Sequence, residues 1–143
     1  MKECVDIATN ALVALYLTKG VQPGELTDNI FDDEYRTFSI VKNTDQTVTL
    51  TLSYIEQGED AVQTVNCRYT YDTNKTLILI EQKLGSGRRS TQWCRHDAIA
   101  TAVDNLAIAL LTSGYTETRI ATLMSTLPLD LSPRVRAALK AVA

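Results

Sequence analysis

Helical spacing of apolar residues occupies both ends of the chain, and alternation of apolar with polar residues occupies its middle. Over residues 1–18 the apolar positions recur three and four apart, which predicts an N-terminal helix. Ile7 and Leu17 fall on the side opposite its main stripe, so this helix needs a second surface to pack against, either another layer or a second copy. The main stripe consists of Val5, Ala8, Leu12, Leu15 and Tyr16.

Four segments with strand-like alternation follow, at residues 35–42, 47–56, 61–72 and 76–84. The second is the most regular, with Leu50 and Leu52 on one face and threonines on the other. Short polar connections separate the segments and permit only antiparallel neighbours, since a parallel crossover needs roughly a dozen residues. The pattern therefore predicts a four-stranded antiparallel meander with one threonine-rich, solvated face. The fourth strand is apolar on both faces, so we expect it to be covered on both or to lie at an interface.

Three further helices are predicted after the sheet. Thr116 is a candidate N-cap of the second, and Ser132 with Pro133 supplies an N-cap and a first-turn proline for the third. Their expected core stripes are Ile99, Ala102, Val103, Leu106 and Leu110; then Ile120, Leu123, Met124 and Leu127; then Val135, Ala138, Leu139 and Val142. The predicted fold class is a single α+β domain over residues 1–143: an N-terminal helix, a four-stranded antiparallel β-meander, and three C-terminal helices packed on one face of the sheet.

Composition and charge narrow the class of protein. The chain is 45% hydrophobic and 22% charged, the ordinary balance of a globular protein rather than of a disordered chain. Its formal net charge of -3 opposes the approach of nucleic acid or an anionic membrane. The last helix carries Arg134, Arg136 and Lys140 on its outer side but no Asn or Gln to read bases. Nucleic-acid binding there is the weakest alternative, against an ordinary basic helix face.

Cysteine usage and the absence of a leader pattern predict the compartment. Cys4, Cys67 and Cys94 lack metal-ligand spacing and cannot all pair within one chain, so three free thiols in a reducing cytoplasm are the simplest account. A Cys67–Cys94 disulfide is the alternative for an exported protein. The chain opens without a secretory signal pattern and has no apolar stretch that could span a bilayer. We therefore expect a soluble cytoplasmic protein without membrane insertion, or an exported one if a signal peptide has been removed.

The turn Gly85–Thr91 carries the best candidate for ligand chemistry. It combines glycines, serines and two arginines between the fourth strand and the predicted central helix, with Ser90 or Thr91 as the helix N-cap. Free backbone N–H groups and guanidinium groups suit a phosphate or carboxylate. We predict a shallow anion- or ligand-binding site lined by Arg88, Arg89, Trp93, Arg95 and His96. A solvated connector with capping residues explains the same residues.

Other candidates for chemistry fail on spacing. Cys94 and His96 are residue types of a thiol nucleophile and its base, but on one helix they diverge by about 160°, so no catalytic residue is predicted and Cys94 is read as inert. Asp32, Asp33 and Glu34 lack the alternating ligand spacing of a calcium loop. We expect no metal and no cofactor.

A binding role is the leading interpretation of the function. We expect a non-enzymatic binding or assembly module of unknown partner that acts as a homodimer, because no catalytic set survives and the first helix is apolar on two sides. A small-ligand or anion-binding protein, or a small enzyme using the Gly85–His96 turn and a cavity between sheet and helices, is the alternative from another class.

Overall fold

The computed structural model describes residues 2–143 and confirms the α+β class and the order of its parts. Its elements are α1 (Lys2–Leu17), α2 (Pro23–Thr27), β1 (Tyr35–Lys42), β2 (Val48–Gln57), β3 (Val62–Tyr71), β4 (Leu77–Leu84), β5 (Ser90–Cys94), α3 (Arg95–Thr112), α4 (Glu117–Thr126) and α5 (Ser132–Val142). They form two compact units: a sheet unit, Lys19–Arg95, and a helical unit made of the chain up to Thr18 together with His96–Ala143. The prediction of one domain over residues 1–143 stays a prediction.

The sheet is an antiparallel meander in the order β1-β2-β3-β4-β5. One row of directly paired residues crosses all five strands on its apolar face: Ile40, Leu50, Tyr69, Ile80 and Trp93. The neighbouring Leu52 and Val65 are almost fully buried, and Leu26 of α2 packs against them. Period-2 alternation places these side chains on one face, so the core of this unit follows from the sequence pattern.

The opposite face of the sheet carries hydroxyl and charged groups. Thr37 and Ser53 share a hydrogen bond of 2.5 Å between β1 and β2. Arg68 and Glu81 form an ion pair of 3.7 Å between β3 and β4. These cross-strand contacts agree with the predicted threonine-rich face. They stabilise strand pairing by polar contacts, whereas the other face stabilises it by burying apolar side chains.

The prediction of four strands is wrong, because residues 90–94 form a fifth strand instead of the first turn of the central helix. Trp93 pairs with Ile80 and Cys94 with Leu79, so β5 covers the edge that β4 would otherwise expose. Thr and Trp favour strands, and pairing along β4 satisfies their backbone groups. Ser90 and Thr91 are therefore strand residues and not helix N-caps.

The segment between α1 and β1 contains the short helix α2, which was not predicted from the sequence. It begins with Pro23, and a capping box stabilises its N-terminus. In this box the Glu25 carboxylate accepts a hydrogen bond of 2.9 Å from the backbone N–H of Gln22. The sequence carries both signals, but the helix has only five residues and shows no apolar periodicity. Leu26 is the side chain that this helix contributes to the core of the sheet unit.

The helical unit has its own apolar core, and most of the predicted stripes face it. Val5 and Leu12 of α1, Leu106 of α3 and Val135 of α5 are fully buried. Val142 is an exception, since it is 44% exposed near the end of α5. The helical periodicity therefore located most of this core. It missed Leu131, which is fully buried in the segment between α4 and α5.

The caps of the last two helices differ from each other. Thr116 caps α4 as predicted, since its side chain accepts from the backbone N–H of Arg119 at 3.2 Å. Ser132 is not a cap: it is the first residue of α5, and its hydroxyl donates to the carbonyl of Met124 at 2.8 Å. The link to the end of α4 replaces the capping bond.

The strand β4 is held at its start by the segment that follows α1. The backbone N–H of Leu77 donates to the carbonyl of Lys19 at 2.8 Å. Gly20 lies beside it with φ +86°, a left-handed conformation, and a Cβ atom there would lie 2.8 Å from the Cβ of Leu77. Glycine is therefore required by both the backbone conformation and the close approach.

We expect Gly20→Ala to lower the free energy of unfolding by about 1–3 kcal/mol, since it adds strain at positive φ and a steric clash. Urea denaturation followed by the fluorescence of Trp93 measures this. Gly24→Ala is the matched control. No atom lies within 4 Å of a Cβ at position 24, which is inside α2, so its stability should stay equal or rise by up to about 1 kcal/mol. Equal stability of the two variants would contradict the assignment.

Candidate functional site

Arg95 directly follows β5, and its side chain makes structural contacts with the sheet. Its side chain is 9% exposed, its Nε donates to the carbonyl of Leu77 at 2.6 Å, and its guanidinium lies 5.2 Å from the centre of the Trp93 ring. Burial lowers the pKa of Arg95, and the carboxylate of Asp72 acts in the opposite direction. The contacts of the Arg95 guanidinium with the Trp93 ring and the Leu77 carbonyl therefore hold the end of β5 beside the start of β4.

Arg88 and Arg89 lie at the other end of β5. Arg88 is exposed, whereas Arg89 is half-buried and donates to the side-chain oxygen of Asn66 at 2.8 Å. Because β5 is extended, six residues separate Arg89 from Arg95 by roughly 20 Å. The structure thus brings Trp93 and Arg95 together and separates both from the other two arginines. His96, the remaining predicted residue, is exposed at the beginning of the helical unit.

The turn Gly85–Arg89 joins two strands, which changes the basis of the predicted anion site. Gly85 has φ +53°, and the N–H of Gly87 donates to the carbonyl of Leu84 at 2.9 Å. No helix begins at Ser90 or Thr91, so the N–H groups of a helix N-terminus are not available there. Anion or ligand binding by Arg88, Arg89, Trp93, Arg95 and His96 stays a prediction.

The three cysteines are free thiols in different environments. Cys67 is buried on the apolar face of β3, where burial raises the pKa of its thiol. Cys94 pairs with Leu79 of β4, and Cys67 pairs with Gln82 of the same strand. Leu79 and Gln82 are three residues apart, so the two cysteines lie on opposite faces of the sheet. This spacing places their Cα atoms beyond the 7 Å limit of a disulfide, so the alternative of a Cys67–Cys94 bond is wrong in this fold. Cys94 ends a strand and is not in the first turn of a helix.

Two concave surfaces stand out. The first, which we call the hairpin pocket, has a volume of about 450 Å³ in the sheet unit. The turns β1–β2 and β3–β4 bring Tyr71 together with side chains that were not predicted as site residues from the sequence: Gln22, Lys42, Gln46, Asp72 and Lys75. The available signal was the similarity of the turns Asn43-Thr44-Asp45-Gln46 and Asp72-Thr73-Asn74-Lys75.

The second surface, which we call the helical groove, lies between α1 and α3 and has a volume of about 480 Å³. Alanines of both helices line it together with two exposed isoleucines: Ala8, Ala11, Ala102, Ala109, Ile7 and Ile108. Ile7 belongs to the second apolar side of α1, which is the one signal of this groove that the sequence carried.

Comparison with known proteins gives no match: no family model, no curated protein and no solved structure matches this chain. Within residues 2–143, no three His, Cys, Asp or Glu side chains are grouped so that they could hold a metal ion. None of the helices described here combines the length and apolar character needed to cross a membrane.

Tyr71 makes the sheet unit less stable at high pH. Its hydroxyl donates to the carbonyl of Val21 at 2.6 Å, and burial raises the pKa of Tyr71 to about 12, against 10.0 for a free tyrosine. The folded state therefore holds this proton more tightly than the unfolded state. The resulting stability is fully present below about pH 10 and is lost as the pH rises towards about 12.

We expect the free energy of unfolding to fall between pH 10 and pH 12, and Tyr71→Phe to reduce this fall because phenylalanine does not ionise. At pH 8 the variant should be less stable by about 1 kcal/mol, since it lacks the bond to Val21. Urea denaturation at each pH measures both effects. Part of the fall should remain, because burial also raises the pKa values of Tyr54 and Tyr69. An unchanged pH dependence in the variant would refute the role of Tyr71.

Proposed function

We propose that this protein is a non-enzymatic binding and assembly module that acts as a homodimer through the helical groove. The observation that carries this proposal is the exposure of two large apolar side chains at one concave surface: Ile7 is 62% exposed and Ile108 is 52% exposed. Burying an exposed isoleucine contributes about 1.5–3 kcal/mol. A surface of this kind favours association, since contiguous exposed apolar surface is uncommon on monomers.

The shape of the groove suits a second helix. Its alanines leave space between α1 and α3, and the isoleucines provide bulky side chains that insert into such a space. In a two-fold dimer each copy presents the same patch, so the isoleucine of one copy enters the alanine-lined region of the other. The groove therefore supplies both complementary parts.

The charge of the groove supports a second copy as the occupant. The side chains that line it are apolar or neutral, with Asn105 and Thr112 as the polar members. A charged peptide would find no opposite charge in it, whereas an identical surface buries apolar area on both sides and brings no charge into the contact. Asn105 and Thr112 provide hydrogen-bonding groups in its lining.

We expect Ile7→Gln to weaken dimerisation at least a hundredfold, because each substitution counts twice at a two-fold interface and removes about 3 kcal/mol in total. Glutamine keeps the helix propensity of α1. Leu17→Gln is the matched control, since Leu17 is on the same helix, is 66% exposed and does not line the groove. Sedimentation equilibrium over a hundredfold range of concentration measures both. A wild-type protein that stays monomeric throughout would end the proposal.

Cys4 reports on the location of the interface, because it is exposed and lines the helical groove. We expect its alkylation by iodoacetamide to slow as the protein concentration rises through the dimer dissociation constant. Cys94 is half-buried in the sheet unit and serves as the internal reference. Mass spectrometry of the alkylated peptides measures the two rates. Equal concentration dependence at both thiols would place the interface elsewhere.

A further inference from the structure

The two hairpin turns that form the hairpin pocket have the same backbone structure. In the first, the N–H of Asn43 donates to Thr47 at 2.8 Å and the N–H of Gln46 donates back to Asn43 at 3.1 Å. In the second, the corresponding bonds join Asp72 to Thr76 at 2.9 Å and Lys75 to Asp72 at 3.1 Å. The chain thus builds one type of turn twice at one end of the sheet.

The last residue of each turn is left-handed although it is not glycine. Gln46 has φ +74° and Lys75 has φ +64°, and they are the two non-glycine residues with positive φ among residues 2–143. Glycine adopts this conformation with less strain. Both residues line the hairpin pocket. Glycine at either position would relieve the strain but would remove a side chain from the pocket. Such strain is typical of functional sites.

The wall of the pocket is held by hydrogen bonds. Gln22 donates from its side-chain amide to the carbonyls of Gly20 and Lys75, at 3.1 Å and 3.0 Å. The Asp72 carboxylate accepts from the backbone N–H groups of Asn74 and Thr76, at 2.8 Å and 3.0 Å. Tyr71 is fixed by its bond to Val21. A pocket whose wall is already ordered loses little entropy when a ligand binds.

The charges of the pocket select an anionic ligand. Lys42 and Lys75 contribute two ammonium groups and Asp72 one carboxylate, so the lining carries a net positive charge. Within residues 2–143 neither lysine forms an ion pair. Pro23 and Val48 add apolar surface beside them, and Tyr71 also lines the pocket. Ligand sites commonly combine apolar walls with a few charged groups that orient the ligand, and 450 Å³ is within their usual size.

We propose that the hairpin pocket binds a small organic anion: a carboxylate or phosphate head group held by Lys42 and Lys75, and a compact apolar body against Val48, Pro23 and Tyr71. This site lies wholly in the sheet unit. It shares no residue with the helical groove.

Nuclear magnetic resonance titration of the full chain with benzoate, phenyl phosphate and benzyl alcohol tests the site. At least one anion should cause saturable shifts in the amide signals of residues 42–48 and 71–76. Whichever anion binds more tightly identifies the head group. Benzyl alcohol, which has the ring but no charge, should bind at least five-fold more weakly. Equal binding of benzyl alcohol, or shifts that do not saturate with either anion, would overturn the proposal.

Lysine variants test the contacts. Lys42→Met and Lys75→Met should each weaken anion binding at least five-fold. Lys83→Met is the matched control, since Lys83 is in β4 outside the pocket and its replacement removes the same charge. Equal weakening by all three would show attraction to net charge alone and overturn the site. Ile7→Gln should leave anion binding unchanged, which separates this test from that of the dimer.

Lys75→Gly distinguishes a functional lysine from a structural one. Because glycine relieves the strain at φ +64°, the thermal unfolding midpoint should stay equal or rise while anion binding weakens at least five-fold. Stability and affinity then change independently. A variant that loses stability, or that binds the anion as the wild type does, would refute the role of Lys75.

Discussion

The pairing of β5 with β4 is the constraint on which the sheet unit and its candidate sites depend. The first half of β4, residues 77–80, is apolar on both faces, and an unpaired edge there would leave its backbone N–H and carbonyl groups open to another chain. β5 satisfies that edge with only five residues. Arg95 then locks the pairing, because its side chain binds the Leu77 carbonyl and lies over Trp93.

This pairing also decides which residues can act together. An extended β5 carries Arg89 and Arg95 to opposite ends of the strand, each with a protein partner. It places Cys94 in the sheet and leaves α3 to begin at Arg95. A helix over the same residues would have grouped the basic side chains at one N-terminus. The difference between one anion site and two separated arginines is thus a difference in local backbone conformation.

The two candidate functional surfaces have opposite chemistry and lie in different units. The helical groove is uncharged, lined by small and branched apolar side chains, and suited to a surface like itself. The hairpin pocket is polar and cationic, and residues with strained backbone conformations line it. Burial is the driving force at the first and charge at the second. An association role and a ligand-binding role can therefore be present in one chain without sharing residues.

The sequence by itself determined what depends on near neighbours along the chain. Helical and alternating periodicity located the core stripes, the first four strands to within one residue at each end, the Thr116 cap and the exposed Ile7, because side-chain direction repeats every 3.6 or 2 residues. Only the tertiary structure decided what depends on distant partners. Residues 90–94 are a strand because the edge of β4 satisfies their backbone. The predicted meander already placed the β1–β2 and β3–β4 turns at one end of the sheet, but only the tertiary structure decided that Lys42 and Lys75 line one pocket together with Gln22 and Pro23, which come from a distant segment of the chain.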